Sequence, residues 1–300
     1  MSDIESNPKT AVTSQPSSSA AAASMPEQIK APRALGLAGL ITGEEDTMEI
    51  HTNHTAQLFN GSLDMDVAFS IPGARLAASR VRRVFVASWG DNPYADEVLL
   101  QFEAMVERIR STIAANEKSI KHKLDERAMR GAPWTLVQHR NPVKLSLGFK
   151  SPYGFMLSNL LIDFDYMARL IFTAERRDLI TQKELRVLFA SAKREFRRAF
   201  VFLIRASSAF MDERIVGLCR ADFLHTAPEV AKKRVIAAAE VFSKIVKLSD
   251  EVLRLQKEPR HSSRSYAASK KDIDLFRQAL EAGLAAADKP AAPISTKGLI

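Results

Sequence analysis

The chain has 300 residues, 46% of them hydrophobic and 26% charged, with a formal net charge of +8. That is an ordinary globular composition, enough for one large domain or two small ones. It holds no apolar run near the roughly 18 residues of a membrane span, no Arg/Lys-led apolar leader, and a single cysteine, Cys219, which excludes an internal disulfide framework and points to the cytosol.

Residues 1–47 read as a disordered tail, since 14–23 are almost entirely Ser, Ala, Pro and Gln. Such a stretch buries too little apolar surface to offset the entropy of ordering. The mixed stretch 48–59 allows a short strand. Pro72 then suits the first turn of a helix with Leu76, Val81, Val84 and Phe85 on one face and Arg75, Arg82 and Arg83 elsewhere, ended by the break at 90–93. From Pro93 a long helix to about residue 128 is predicted by Val98, Phe102, Met105, Ile109, Thr112 and Ile113, and more weakly by Ile120 and Leu124, in steps of three and four. Residues 134–149 read as extended, and Val143, Leu145, Leu147 and Phe149 alternate with Lys144, Ser146 and Gly148. Period two predicts a half-buried strand over about 142–149.

A helix at 155–176 follows, rich in Leu160, Leu161, Phe164, Met167, Leu170 and Ile171. Thr181 and Glu184 form a capping box for the next, 182–206, whose seam is Leu185, Phe189, Ala192, Phe196, Ala199 and Leu203. Further helices are predicted at 211–224 and from Pro228 to about 257, with a weak one at 272–284. The fold class is thus mostly α, with a short strand leading into long helices. The strand-helix-helix unit at 142–206 lies within a single domain at 48–258, and a basic, flexible tail follows at 259–300.

Charge is distributed unevenly. Residues 1–72 carry 3 Lys/Arg against 9 Asp/Glu, whereas 131–205 carry 13 against 6. A localised basic excess attracts polyanions, nucleic acid first, although an acidic protein or an anionic membrane surface has the same attraction. The strand offers Lys144 and Ser146 on one face, with Lys150 beyond its end. The last helix of the unit carries Arg186, Lys193, Arg194, Arg197, Arg198 and Arg205. Strand-helix-helix is the order of a ribbon-helix-helix module, in which two chains pair one strand each and the ribbon enters the major groove of duplex DNA. The same features also describe an edge strand over a core and a solvated helix face.

No enzyme signature is present. The chain lacks Gly-rich phosphate loops. His51 and His54 have no neighbouring cysteine or acidic cluster and read as surface residues, so neither metal nor cofactor is expected. Asp163 and Asp165 point to different helix faces and suit arginine anchoring or backbone capping rather than acid–base work. Cys219 reads as a buried structural thiol, and Trp89 and Trp134 as packing residues.

The run from Pro142 through Val143-Lys144-Leu145-Ser146-Leu147-Gly148-Phe149-Lys150-Ser151-Pro152-Tyr153-Gly154-Phe155, followed by Leu160-Leu161-Ile162-Asp163-Phe164-Asp165 and the later Arg197-Arg198, resembles a family of accessory proteins of integrating conjugative elements. That family is similar to AcaB-type transcriptional activators of conjugative plasmids. The resemblance implies a regulator of, or accessory factor in, horizontal DNA transfer with a ribbon-helix-helix-like DNA-binding element; a homodimer is expected from that module type, and a cytoplasmic location from the single cysteine. Carried onto this sequence, it implies Lys144, Ser146 and Lys150 as binding residues, supported by Thr181 and Arg186. Gly148 occupies the last polar strand position and offers no side chain, which favours phosphate-dominated, weakly specific contact. The competing expectation is a helical adaptor of a transfer or maintenance complex that does not touch DNA.

Overall fold

A computed structural model describes residues 46–62, 71–224, 227–262 and 278. Of the predicted tails at 1–47 and 259–300, all but 46–47, 259–262 and 278 lie outside these residues, and with them all but one residue of the helix at 272–284. The elements are β1 (Thr47–Ile50), α1 (Asn53–Asn60), β2 (Gly61–Ser62), β3 (Ile71–Pro72), α2 (Ala74–Trp89), α3 (Pro93–Met129), β4 (Val143–Ser146), α4 (Pro152–Arg176), α5 (Gln182–Ala209), α6 (Glu213–Val216), a 3-10 helix (Arg220–Phe223), α7 (Glu229–Phe242) and α8 (Asp250–Leu253).

Four long helices, α2 to α5, build the core. α3 and α2 each pack on both α4 and α5. All six apolar residues that the sequence reading names on α4 are fully buried, and the predicted seam of α5 is buried. Ile120 and Leu124, where the α3 pattern weakens, are buried too. On α2 the periodicity misplaces Leu76, which is exposed; Ala74, Ala77 and Ala78 bring α2 close to its neighbours instead. Small side chains carry little hydropathy signal, yet they set how near two helix backbones can come.

The strand at 143–146 finds its partner within the chain. β4 pairs antiparallel with β1, Glu49 facing Lys144 and Met48 facing Leu145. β1 packs on α4 and buries Met48 and Ile50. The strand of the strand-helix-helix order thus forms a two-stranded ribbon with β1 of its own chain. The rest of 134–149 is an extended strap rather than a strand. Its backbone is tied to α4 by Val137 N donating to Thr173 Oγ1 (3.0 Å), and by Arg169 Nε donating to Val137 O (3.0 Å).

Beyond α5 the sequence expectation fails most. Neither the helix at 211–224 nor a continuous one at 228–257 forms. Val230 and Ile236 are 70% and 60% exposed, while α7 buries Ala231, Ala238 and Phe242. The break after α7 is held by tertiary hydrogen bonds, since Ser249 N and Oγ both donate to Glu97 Oε2 on α3 (3.1 and 2.7 Å). Phe242 stacks on Tyr94 with centroids 4.5 Å apart.

The largest fully buried side chain is Arg220, 1% exposed. Its guanidinium binds Asp91, Asp96 Oδ2 (2.6 Å) and the Val252 carbonyl (2.9 Å). Asp96 also accepts from Ser88 Oγ at 2.5 Å. Asn92 caps α3 by accepting from Tyr94 N and Ala95 N, and donates to Ile215 O at 2.6 Å. One polar cluster thus ties the start of α3 to the segment 213–253.

Candidate nucleic-acid interface

The helical spacing of α5 decides which charges come together. Its apolar seam faces the core, so Arg186, Arg194, Arg197, Arg198 and Arg205 are left exposed on the remainder, with Lys193 half-buried at the edge. At about 1.5 Å per residue, the ridge from Arg186 to Arg205 runs roughly 28 Å. Arg198 is paired with Glu195 at 2.7 Å. Arg186, Arg194, Arg197 and Arg205 form no ion pair among the described residues.

Two open grooves of about 400 Å³ each flank this ridge. One is lined by Arg194, Arg197, Arg198, Arg205 and Lys244 over Val201, Phe202 and Ile245. The other is lined by His54, Leu185, Arg186, Phe189, Lys193, Arg194 and Arg197. They share Arg194 and Arg197, which makes that pair the centre of the basic surface. Lys244 was not singled out in the sequence: it follows α7 in a turn, and only tertiary packing brings it to α5.

Lys193 is less free than its neighbours. Its ammonium sits 2.8 Å from His54 Nδ1. His54 lies against Phe189 and stacks on Phe172, 4.3 and 5.8 Å between centroids. Burial, then the nearby Lys193 charge, holds the imidazole below its usual pKa, and burial with Arg197 does the same to Lys193. A neutral His54 therefore accepts a hydrogen bond from Lys193. Both His51 and His54 are partly buried, not the surface residues the sequence suggested.

The strand residues go elsewhere. Lys144 is exposed on the ribbon, in register with Glu49 of β1. Ser146 and Lys150 line a separate cleft beside Arg75 and Arg82 of α2, sharing no lining residue with the α5 grooves. Thr181 forms the expected capping box: its Oγ1 accepts from Glu184 N (3.2 Å), and its N donates to Glu184 Oε2 (2.7 Å). The start of α5 thereby presents a carboxylate, itself joined to Lys123 at 3.3 Å, rather than bare N–H groups for a phosphate.

Asp165 proves to be a cap, but of a distant element. It is buried and accepts from His51 N, Thr52 N, Thr52 Oγ1 and Thr55 Oγ1, at 2.8 to 3.2 Å, fixing the start of α1. Cys219 is half-buried, and burial and Asp222 raise its pKa, the opposite of an activated nucleophile. Among the described residues no cluster of His, Cys, Asp or Glu has metal-binding geometry. No described helix is long and apolar enough to cross a membrane.

A family model described as the transcriptional regulator AcaB matches residues 38–264. The chain belongs to the AcaB family. A crystal structure of selenomethionine-containing AcaB from uropathogenic E. coli is a further match. It is 12% identical, with 79% of this chain and 97% of that one covered at a TM-score of 0.28. A comparison with curated proteins finds no relative. AcaB membership gives the chain a regulatory role in transcription. The match takes in every element from β1 to α8, and with them the basic face of α5, the ribbon and the Arg220 cluster.

Proposed function

We propose that the chain binds duplex DNA through the basic face of α5 and regulates transcription for a conjugative or integrating mobile element. The observation that carries this is the ridge of four arginines, Arg186, Arg194, Arg197 and Arg205, that form no ion pair among the described residues. Its length approaches the roughly 34 Å of one DNA turn. Guanidiniums on a rigid helix suit phosphate oxygens, which carry no sequence information. Binding is therefore dominated by counterion release. The mobile-element setting comes from the resemblance in the 142–165 run, and a homodimeric state from the strand-helix-helix module type.

Fluorescence anisotropy with a mixed-sequence duplex at several salt concentrations tests it. With about five phosphate contacts, affinity falls a few hundred-fold between roughly 50 and 200 mM salt. Arg194→Gln with Arg197→Gln lowers the salt slope by about two. Failure to bind at low salt defeats the proposal and favours the adaptor role, for which the apolar floor of Val201, Phe202 and Ile245 is the first surface to examine.

A further inference from the structure

We infer that the cleft between α2 and the turn from β4 into α4 is a binding site for a phosphate group. The cleft holds about 250 Å³. Arg75 and Arg82 enter it from α2, and Lys150 from the turn, with the hydroxyls of Ser79 and Ser146 beside them. Residues 75, 79 and 82 are spaced by four and three, which places them on one side of the helix. None of the three cations forms an ion pair among the described residues. Like charges gathered in one concavity repel each other until an anion joins them. Two guanidinium forks and an ammonium offer more donors than the two oxygens of a carboxylate can serve, whereas the oxygens of a phosphate can meet them from several sides.

The turn is built to hold Lys150 in place. Gly148 adopts φ +53°, a left-handed conformation that a side chain disfavours. Phe149 then packs between Phe59 and Phe155, with ring centroids 6.4 and 6.1 Å away. It also lies over Gly154, where an added Cβ would come within 2.9 Å of the Phe149 Cβ. Ser151, buried, caps α4 by accepting from Gly154 N at 3.2 Å, and Pro152 fills the first helical position. The Gly-Phe-Lys-Ser-Pro-Tyr-Gly run is therefore a rigid mount for Lys150 facing two arginines that lie about 70 residues earlier in the sequence. Preorganisation of this kind favours a small, densely charged ligand.

The phosphate is either a phosphodiester of bound DNA or the ester of a small metabolite. The cleft does not depend on the α5 surface, since the two share no lining residue. Thermal melts of the full chain with inorganic pyrophosphate, against sodium chloride at matched ionic strength, test it. The Tm of the unmodified protein rises by a few degrees. The rise is lost in Arg82→Gln/Lys150→Gln, whose changed residues are exposed, and is kept in Arg194→Gln/Arg197→Gln. No rise in the unmodified protein, or an equal rise in the cleft variant, overturns the site. Duplex anisotropy then assigns the source. A salt slope lowered by about two in the cleft variant places a DNA phosphate there, and an unchanged slope with the pyrophosphate effect lost places a small phosphate ester. If pyrophosphate stabilises a chain that binds no DNA, the α5 proposal fails and this one stands.

Discussion

α3 holds two regions of the molecule by different chemistry. Against α4 and α5 it offers apolar side chains, Phe102, Val106, Ile109 and Ile113, all buried. Against the segment 213–253, its N-terminal end adds polar groups to the Tyr94–Phe242 stack: Asn92, Asp96 and Glu97 bind Ile215, Arg220 and Ser249. Hydrophobic burial is non-directional and tolerates imperfect fit, whereas buried polar groups demand particular partners. The α4–α5 hairpin is accordingly regular and the later segment irregular, held at Ile215, Arg220 and Ser249 by bonds to distant residues.

Breaking the polar side should have the largest effect. Arg220→Met takes the guanidinium partner from Asp96, which is 0% exposed, and from Asp91 and the Val252 carbonyl. Removing one partner of a buried pair costs about 3–5 kcal/mol. Hydrogen exchange should show faster exchange across 213–253 while α4 amides stay protected; equal loss of protection in both would show that the two regions unfold as one unit. Asp165→Asn comes next. It weakens charge-assisted bonds to four donors at the start of α1, at a cost of about 2–3 kcal/mol, measured by denaturant unfolding with the slope unchanged.

Smaller changes sharpen the comparison. Thr181→Ala removes the cap of α5 and should cost about 1 kcal/mol, a surface effect that leaves both regions intact; a loss several times larger would mean that the α4–α5 connection also organises the core. The smallest effect is on pH dependence. Because the His54 pKa is lower in the folded chain than in the unfolded one, its contribution is complete above about 6.5 and fades as pH falls through the folded value. The drop in Tm between roughly pH 7 and pH 5.5 should therefore shrink in His54→Gln. An unchanged drop would place the titration in other groups.

The sequence by itself determined the elements whose signal is local. Apolar spacing of three and four gave α3, α4 and α5 with their buried faces, because a helix repeats every 3.6 residues whatever it packs against. The Thr181–Glu184 cap was legible because both partners lie within one turn. The basic residues of α5 were legible as one exposed face because the seam assigns the opposite face to the core. Tertiary structure decided what depends on residues far apart in the chain. It paired β4 with β1 nearly 100 residues earlier, and set Asp165 to cap α1. It buried Arg220 against Asp91 and Asp96, and brought Lys244 to α5 and Arg75 and Arg82 to Lys150. No periodicity encodes these contacts, since a hydrogen bond or a shared charge depends on where two side chains meet in space and not on their spacing along the chain.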